Sequence, residues 1–138
     1  MQDKTQKRNI LQRILGICAT NMPLDEGCWT FENGKIVVDL NRVPELAGAS
    51  GAIRLEEKDL TERVLVFQGE DGQYYAFQNS CPHIKRRLDP LPGKNQVQCC
   101  SLGQSTFDYA GKLVSGSAQG DVQTYAVSVE SNRLLITL

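Results

Sequence analysis

Three turn sequences, each lying between two short strand-like segments, constrain the fold of this chain more than any other feature. Asn-Gly and Asp-Gly pairs favour the tight turns that join antiparallel strands, and β-branched and aromatic residues surround them. The turns are Asn33-Gly34, Asp71-Gly72 and Ser131-Asn132, and the second and third strand pairs span residues 64–77 and 123–138. Strands at this spacing predict an all-β domain, a small antiparallel sandwich or barrel.

Residues 3–18 have a different pattern, which predicts an amphipathic helix. Apolar residues recur there at spacings of three and four and share one face, whereas basic residues lie on the other. The apolar face comprises Ile10, Leu11, Ile14, Leu15 and Cys18, and the basic face Lys4, Lys7, Arg8 and Arg13. We therefore expect an N-terminal helical extension over residues 1–27 and a β domain over residues 28–138.

Composition and charge exclude several classes of protein. The 138 residues are 41% hydrophobic and 22% charged, which suits one buried core and not a disordered chain. The 15 basic and 16 acidic residues give a net charge of −1, which offers no electrostatic basis for binding nucleic acid. No apolar run approaches the roughly 20 residues of a membrane-spanning helix.

The cysteine content predicts a reducing compartment. Five cysteines are an odd number at low density, which fits a cytoplasmic protein better than a secreted disulfide framework. Cys18 and Cys28 are expected to be buried thiols without chemistry. Residues 7–12 loosely resemble a twin-arginine export signal, so export is the alternative, although no cleavage site follows.

The residues that indicate chemistry lie in two segments between the second and third strand pairs. The first cysteine loop, residues 79–83, reads Asn-Ser-Cys-Pro-His and ends on the only histidine of the chain, His83. The second cysteine loop, residues 99–108, begins with two adjacent cysteines, Cys99 and Cys100. Thiolate sulfur and imidazole nitrogen together suit an iron–sulfur cluster or zinc, and do not suit calcium or magnesium.

These loops and their surroundings resemble the Rieske-type [2Fe–2S] proteins, whose motif is C-x-H followed at a distance by C-x-x-H. The Asp71-Gly72 hairpin leads into the first cysteine loop as it does in such domains, and Leu88 occupies the usual hydrophobic position after that loop. Further matches are Phe107-Asp108, Gly111, and Gly116-Ser117-Ala118 with Ser117 in place of a proline. The resemblance covers residues 34–138 and implies a Rieske-like fold in which two loops hold a [2Fe–2S] cluster.

One departure from the family affects the cluster ligands. Family members hold one iron with two cysteines and the other with two histidines, whereas this chain has a single histidine. Counting back from Phe107-Asp108 aligns Cys100 with the second-loop cysteine and Gly103 with the missing histidine. A register that aligns Cys99 with that cysteine puts Leu102 at the histidine position.

The resemblance leaves three arrangements open for a site at these loops. The candidate ligands are Cys81, His83, Cys99 and Cys100. Cys99 could replace the second histidine and give a three-cysteine, one-histidine [2Fe–2S] cluster. An oxygen ligand from Ser101, Ser105 or solvent could complete the cluster site instead. In the third arrangement, the four candidate ligands bind a single tetrahedral zinc.

The resemblance implies one-electron transfer to or from a larger oxidoreductase. No catalytic triad, phosphate-binding glycine loop or suggestive carboxylate pair is found, so a free-standing enzyme is not expected. The alternative is a cluster-free or zinc-bearing binding or assembly module on the same fold. Residues 84–94 hold Lys85, Arg86, Arg87 and Lys94 against Asp89. This local positive charge predicts an acidic docking surface on a redox partner, and the protein is expected to belong to a larger complex with it.

Overall fold

The structure, a computed structural model, describes residue 11 and residues 18–82, 85–101, 104–118 and 120–138. Within these ranges nearly all regular structure is antiparallel β-sheet, which confirms the predicted fold class. The helix predicted over residues 3–18 lies outside the described residues, apart from its positions 11 and 18. Among the described residues, no helix combines the length and the apolar character that a bilayer crossing requires.

The described strands, numbered β1 to β11 in chain order, form two sheets. Their bounds are Trp29–Glu32, Lys35–Asp39, Ala52–Leu55, Val64–Gln68, Tyr74–Gln78, Leu88–Leu91, Gln96–Cys99, Thr106–Asp108, Leu113–Ser115, Thr124–Glu130 and Arg133–Thr137. The larger sheet has the order β1-β2-β11-β10-β5-β4-β3, and the smaller sheet has the order β6-β7-β8-β9. Short 3₁₀ turns occur at Glu26–Cys28, Leu40–Arg42 and Pro44–Leu46.

The three predicted strand pairs are confirmed as hairpins of the larger sheet. The β1–β2 turn places Asn33 and Gly34 at φ of 53° and 76°, and two successive left-handed residues are what a type I′ turn requires. Ser131 and Asn132 adopt the same region, at φ of 48° and 66°, in the β10–β11 turn. Gly72, at φ of 82°, lies in the turn between β4 and β5.

The described residues form two buried apolar clusters, and strand β4 contributes to both. The scaffold core lies on the larger sheet and includes Cys28, Trp29, Ile36, Val38, Val64, Val66, Leu134 and Ile136. The site core is formed by residues of both sheets and of the loops between them, and includes Leu65, Phe67, Phe77, Cys81, Leu88, Val97, Cys99 and Phe107. Side chains alternate along a strand, so the apolar run 64–67 packs against both cores. Val64 and Val66 lie in the scaffold core, and Leu65 and Phe67 lie in the site core.

Candidate metal centre

The first cysteine loop is clamped to strand β6 by the side chain of Asn79. Its Oδ1 accepts a hydrogen bond from the Leu88 backbone N–H at 2.7 Å. The Asn79 backbone N–H donates to the Arg63 carbonyl at 2.8 Å, and Arg63 Nε donates back to the Asn79 carbonyl at 3.1 Å. These bonds fix where the loop leaves β5, so that Cys81, two residues later, enters the site core and is fully buried.

The loop then turns back on itself. The Cys81 N–H donates to the Arg86 carbonyl at 2.8 Å, and the Lys85 N–H donates to the Cys81 carbonyl at 2.7 Å. Lys85 adopts a left-handed φ of 59°, a backbone region that favours glycine. His83 and residue 84 lie outside the described residues, so the predicted role of His83 as a ligand stays a prediction.

The second cysteine loop sends its two adjacent cysteines to opposite sides. Cys99 is the last residue of β7, lies opposite Leu88 in the register, and donates its N–H to the Ser105 carbonyl at 2.8 Å. Cys100 donates its N–H to the Arg87 carbonyl at 3.0 Å. Since neighbouring side chains of a strand point to opposite faces, Cys99 enters the site core while Cys100 faces away from it.

The structure brings the thiols of Cys81 and Cys99 together. Both residues are fully buried, and their side chains are hydrogen-bonded to each other. The Cys99 Sγ also lies 3.1 Å from the Ser101 hydroxyl. The bond to Cys81, followed by burial, raises the pKa of Cys99 far above its usual range. The Cys99 thiol therefore stays protonated near neutral pH, and a metal must displace its proton in order to bind.

Cys100 does not join this pair, because it forms a disulfide with Cys18. The two Cα atoms are 5.4 Å apart, although 82 positions separate the cysteines along the chain. In this state the Cys100 sulfur is not a thiolate and offers no ordinary metal ligand. The expectation that Cys18 is a thiol without chemistry is wrong. Cys28 lies buried in the scaffold core as a free thiol, as expected.

The donor set suits the cysteine-ligated end of a [2Fe–2S] cluster. Two adjacent thiols from two loops are the ligands of that iron in the family, and a buried donor nearby is unpaired. The fully buried Asn79 side chain has no hydrogen-bond partner for its Nδ2 among the described residues. Leaving such a donor unpaired costs about 1–3 kcal/mol, and a cluster's sulfurs are acceptors. For the second iron the sequence supplies a single imidazole, His83.

The positive collar predicted over residues 84–94 is smaller than its sequence suggests. Arg87 Nε and Nη2 bind the Glu56 carboxylate at 2.6 and 3.0 Å, and Arg54 binds the same carboxylate at 2.9 Å. Burial raises the pKa of Glu56, but the hydrogen bonds from both arginines outweigh it and lower the pKa below its usual value. Glu56 is therefore ionised and offsets one of the two positive charges of Arg54 and Arg87. Lys85 and Arg86, in the loop itself, are called the collar.

Two side chains that contact the surroundings of the cysteine loops carry no clear signal in the sequence. Glu56 precedes Arg87 by 31 positions, and a charge count over a local window does not include it. Asp89 counts as a surface charge in that window, yet it is fully buried, and its carboxylate accepts backbone hydrogen bonds from Ala19 and Thr20.

Several solved structures share this fold. The plasma membrane Rieske protein PetC3 of Synechocystis PCC 6803 superimposes with a TM-score of 0.54 at 25% identity, covering 64% of this chain and 87% of that one. The ferredoxin of carbazole 1,9a-dioxygenase from Nocardioides aromaticivorans IC177 gives 0.58 at 19% identity, covering 73% and 93%. A quaternary ammonium Rieske monooxygenase linked to carnitine oxidation by gut microbiota gives 0.53 at 22% identity, covering 67% of this chain.

Two further observations concern the family of the chain: the share of the larger enzyme that it covers, and the match of its sequence to a family model. This chain spans 28% of the length of that monooxygenase, so the likeness concerns one part of the larger enzyme. No curated protein matches the chain in sequence. The family model of the Rieske [2Fe–2S] domain matches residues 35–126, which include both cysteine loops. The chain therefore belongs to the Rieske [2Fe–2S] domain family.

Proposed function

We propose that the protein transfers single electrons to or from a larger oxidoreductase. The observation that carries the proposal is the buried pair Cys81 and Cys99, delivered by two loops to one point of the site core. Membership of the Rieske family and the likeness to a dioxygenase ferredoxin support the same role. A [2Fe–2S] cluster bound here would supply one reversible electron. Cys81 and Cys99 would hold one iron, and His83 the other.

We place a solvent oxygen at the fourth ligand position. Cys99 lies beside Cys81, where the family has its second-loop cysteine, so it is not available to replace a histidine. Ser105 accepts a hydrogen bond from the Ala118 N–H at 2.9 Å, and Ser101 contacts the sulfur of Cys99. Both hydroxyls are thus engaged elsewhere, which supports solvent and predicts a more labile cluster than a fully protein-ligated one.

The surrounding side chains would keep water from the thiolate-bound iron. Phe77, Leu88 and Phe107 are fully buried in the same core as the two thiols. The Ser101 hydroxyl at this end is hydrogen-bonded to the sulfur of Cys99. A dry, rigid environment of this kind limits the reorganisation that accompanies a change of charge, which favours electron transfer over substrate chemistry.

The partner would dock against the collar through an acidic surface. Lys85 is exposed and Arg86 half-buried, both in the loop that follows Cys81. With a reduced acidic ferredoxin as donor, we expect the electron-transfer rate to fall as salt shortens the Debye length to about 10 Å. Lys85→Glu with Arg86→Glu should abolish that dependence. The matched control is Lys35→Glu with Arg133→Glu, on strands β2 and β11 of the larger sheet, which should preserve the salt dependence.

The proposal as a whole is tested by anaerobic purification followed by iron, sulfide and zinc assays. We expect equal iron and sulfide, about two of each per chain, with the red-brown absorption of a [2Fe–2S] protein. A colourless protein that contains neither metal would overturn the electron-transfer role in favour of a cluster-free module. One zinc per chain without sulfide would instead favour the single-zinc arrangement.

A further inference from the structure

A second group of metal-ligating side chains lies on the side of Cys100 that faces away from the site core. One ligand atom each of Cys18, Asp89 and Cys100 falls within 4.8 Å of the others. Asp89 and Cys100 are fully buried, and Cys18 is half-buried. None of the three belongs to the Cys81–Cys99 pair, so this group is separate from the proposed cluster site.

Cys18 is held beside this group by more than the disulfide. It begins a strap, residues 18–21, that lies against the two sheets. The Ala19 and Thr20 N–H groups donate to the two carboxylate oxygens of Asp89 at 2.8 and 3.0 Å. Arg54 donates through its Nε to the Thr20 carbonyl at 3.2 Å and through its backbone N–H to the Asn21 carbonyl at 3.0 Å. These four bonds do not involve sulfur, so the strap remains in place when the disulfide is broken.

We propose that the reduced pair Cys18 and Cys100 binds a zinc-like divalent cation together with Asp89, with solvent as the fourth ligand. Two thiolates and a carboxylate form a set that zinc accepts in tetrahedral geometry. The thiolate sulfurs of such a site lie about 3.8 Å apart, given Zn–S bonds of about 2.3 Å. The Cα atoms, 5.4 Å apart, permit that separation by side-chain rotation. The backbone N–H groups on Asp89 orient its carboxylate as the partners of metal ligands usually do.

The reductive step is an ordinary thiol–disulfide exchange with a dithiol protein. A thiolate of the dithiol attacks the Sγ of Cys18, which is the more exposed sulfur, and Cys100 leaves as a thiolate. The second thiol of the reductant then displaces Cys18 and becomes disulfide-bonded itself. Two electrons and two protons thereby pass to the cysteine pair. Metal binding subsequently releases the thiol protons to solvent.

The strap can therefore be linked to the second cysteine loop in two alternative ways. Under oxidising conditions a covalent bond joins it to the second cysteine loop, and under reducing conditions a metal ion does so. Metal binding at this site does not depend on the proposed electron transfer, because Cys81, Cys99 and His83 take no part in it.

Cobalt(II) is the probe for the test, since thiolate ligation gives it a strong near-ultraviolet absorption. The full chain is prepared either oxidised or reduced with a phosphine under argon, freed of reductant, titrated with cobalt, and then competed with zinc. We expect the reduced protein to bind one more cobalt per chain than the oxidised protein, and zinc to displace it. Cys18→Ser should abolish the additional binding, and Asp89→Asn should weaken it at least tenfold.

Two control variants separate this site from the others. Cys28→Ala removes the free thiol of the scaffold core, and Cys81→Ala disrupts the cluster site. Both should retain the reduction-dependent equivalent of cobalt. Equal binding by oxidised and reduced wild type would overturn the proposal. So would an additional equivalent that survives Cys18→Ser, a substitution at a half-buried position outside both cores that remains informative even where Asp89→Asn impairs folding.

Discussion

The scaffold core and the site core both bury cysteine, yet only the site core arranges it for chemistry. In the scaffold core Cys28 packs beside Trp29, and burial, reinforced by Asp25 and Glu45, raises the pKa of its thiol. It forms no disulfide with any described residue. In the site core Cys81 and Cys99 contact each other, and it is this contact, ahead of burial, that raises the pKa of Cys99. Contact with a second cysteine, and not the degree of burial, therefore distinguishes a candidate metal ligand from a thiol of the core.

The two cores also differ in how the chain builds them. The scaffold core is formed largely by hairpins whose strands are adjacent in sequence, such as β1–β2 and β10–β11. The site core depends on two separate loops, residues 79–83 and 99–108, and the β6–β7 pairing places Leu88 opposite Cys99 between them. A change in the site core should therefore affect metal binding and stability together, whereas a change in the scaffold core should affect stability alone.

The largest difference is expected from removing one cysteine at a time. Cys81→Ala and Cys99→Ala should each abolish iron loading, because each removes half of the thiol pair. Cys28→Ala should cost about 1 kcal/mol of stability, in the common range for a buried substitution, and leave loading intact. Iron content and the visible spectrum measure the first effect, and urea unfolding measures the second. Full loading of the Cys99→Ala protein would show that Cys99 is only a core thiol.

A smaller difference is expected between two glycines with positive φ. At Gly116, where φ is 105°, an added Cβ would collide with the Cα of Ser105. The Ser105 carbonyl accepts the hydrogen bond from the Cys99 N–H. We expect Gly116→Ala to cost about 3 kcal/mol and to lower iron loading. Gly72, φ 82°, has no atom of the described residues within 4 Å of an added Cβ, so Gly72→Ala should cost about 1 kcal/mol and leave loading unchanged. Equal effects on loading would mean that the second loop is not positioned through Ser105.

The smallest difference concerns two ion pairs. Arg87 binds the half-buried Glu56, whereas Arg42 binds Asp25 with both side chains more than 40% exposed. Arg87→Met should cost about 1–2 kcal/mol at pH 7, between the values for exposed and buried pairs, and Arg42→Met should cost less. Since the folded pKa of Glu56 is lowered, the pair's stabilisation is present above the unfolded pKa and is lost as pH falls through the folded one. Urea midpoints measured from pH 7 down into the acid range follow it, and a cost of Arg87→Met that does not decrease as the pH falls would contradict this account.

The hairpins of the larger sheet could be predicted from the sequence because the contacts within each hairpin are local, unlike the pairings of β2 with β11 and of β5 with β10. Turn residues such as Asn33-Gly34 specify their own hairpins, and the flanking alternation specifies which face is buried. The smaller sheet was not predicted, since its strands are only three or four residues long and one of them contains Pro90. Short strands carry little periodicity, and their pairing is decided by the rest of the fold.

The types of residue at the candidate site could be predicted from the sequence, but which residues bond to one another could not. The motif identified Cys81, and alternation along β7 separates Cys99 from Cys100. Nothing local indicates that Cys100 bonds to Cys18 across 82 positions, or that Glu56 lies between two arginines. Such pairings arise from the three-dimensional arrangement of the sheets.

A Mössbauer spectrum of protein grown on iron-57 tests the central claim most directly, because it reports the ligands of each iron separately. With Cys81 and Cys99 on one iron and His83 with an oxygen on the other, the oxidised protein should show two quadrupole doublets of equal area. The doublet with the larger isomer shift should belong to the nitrogen- and oxygen-ligated iron. Cys28→Ala should leave the spectrum unchanged. A single doublet from two irons with the same ligands, or iron without sulfide, would contradict the assignment.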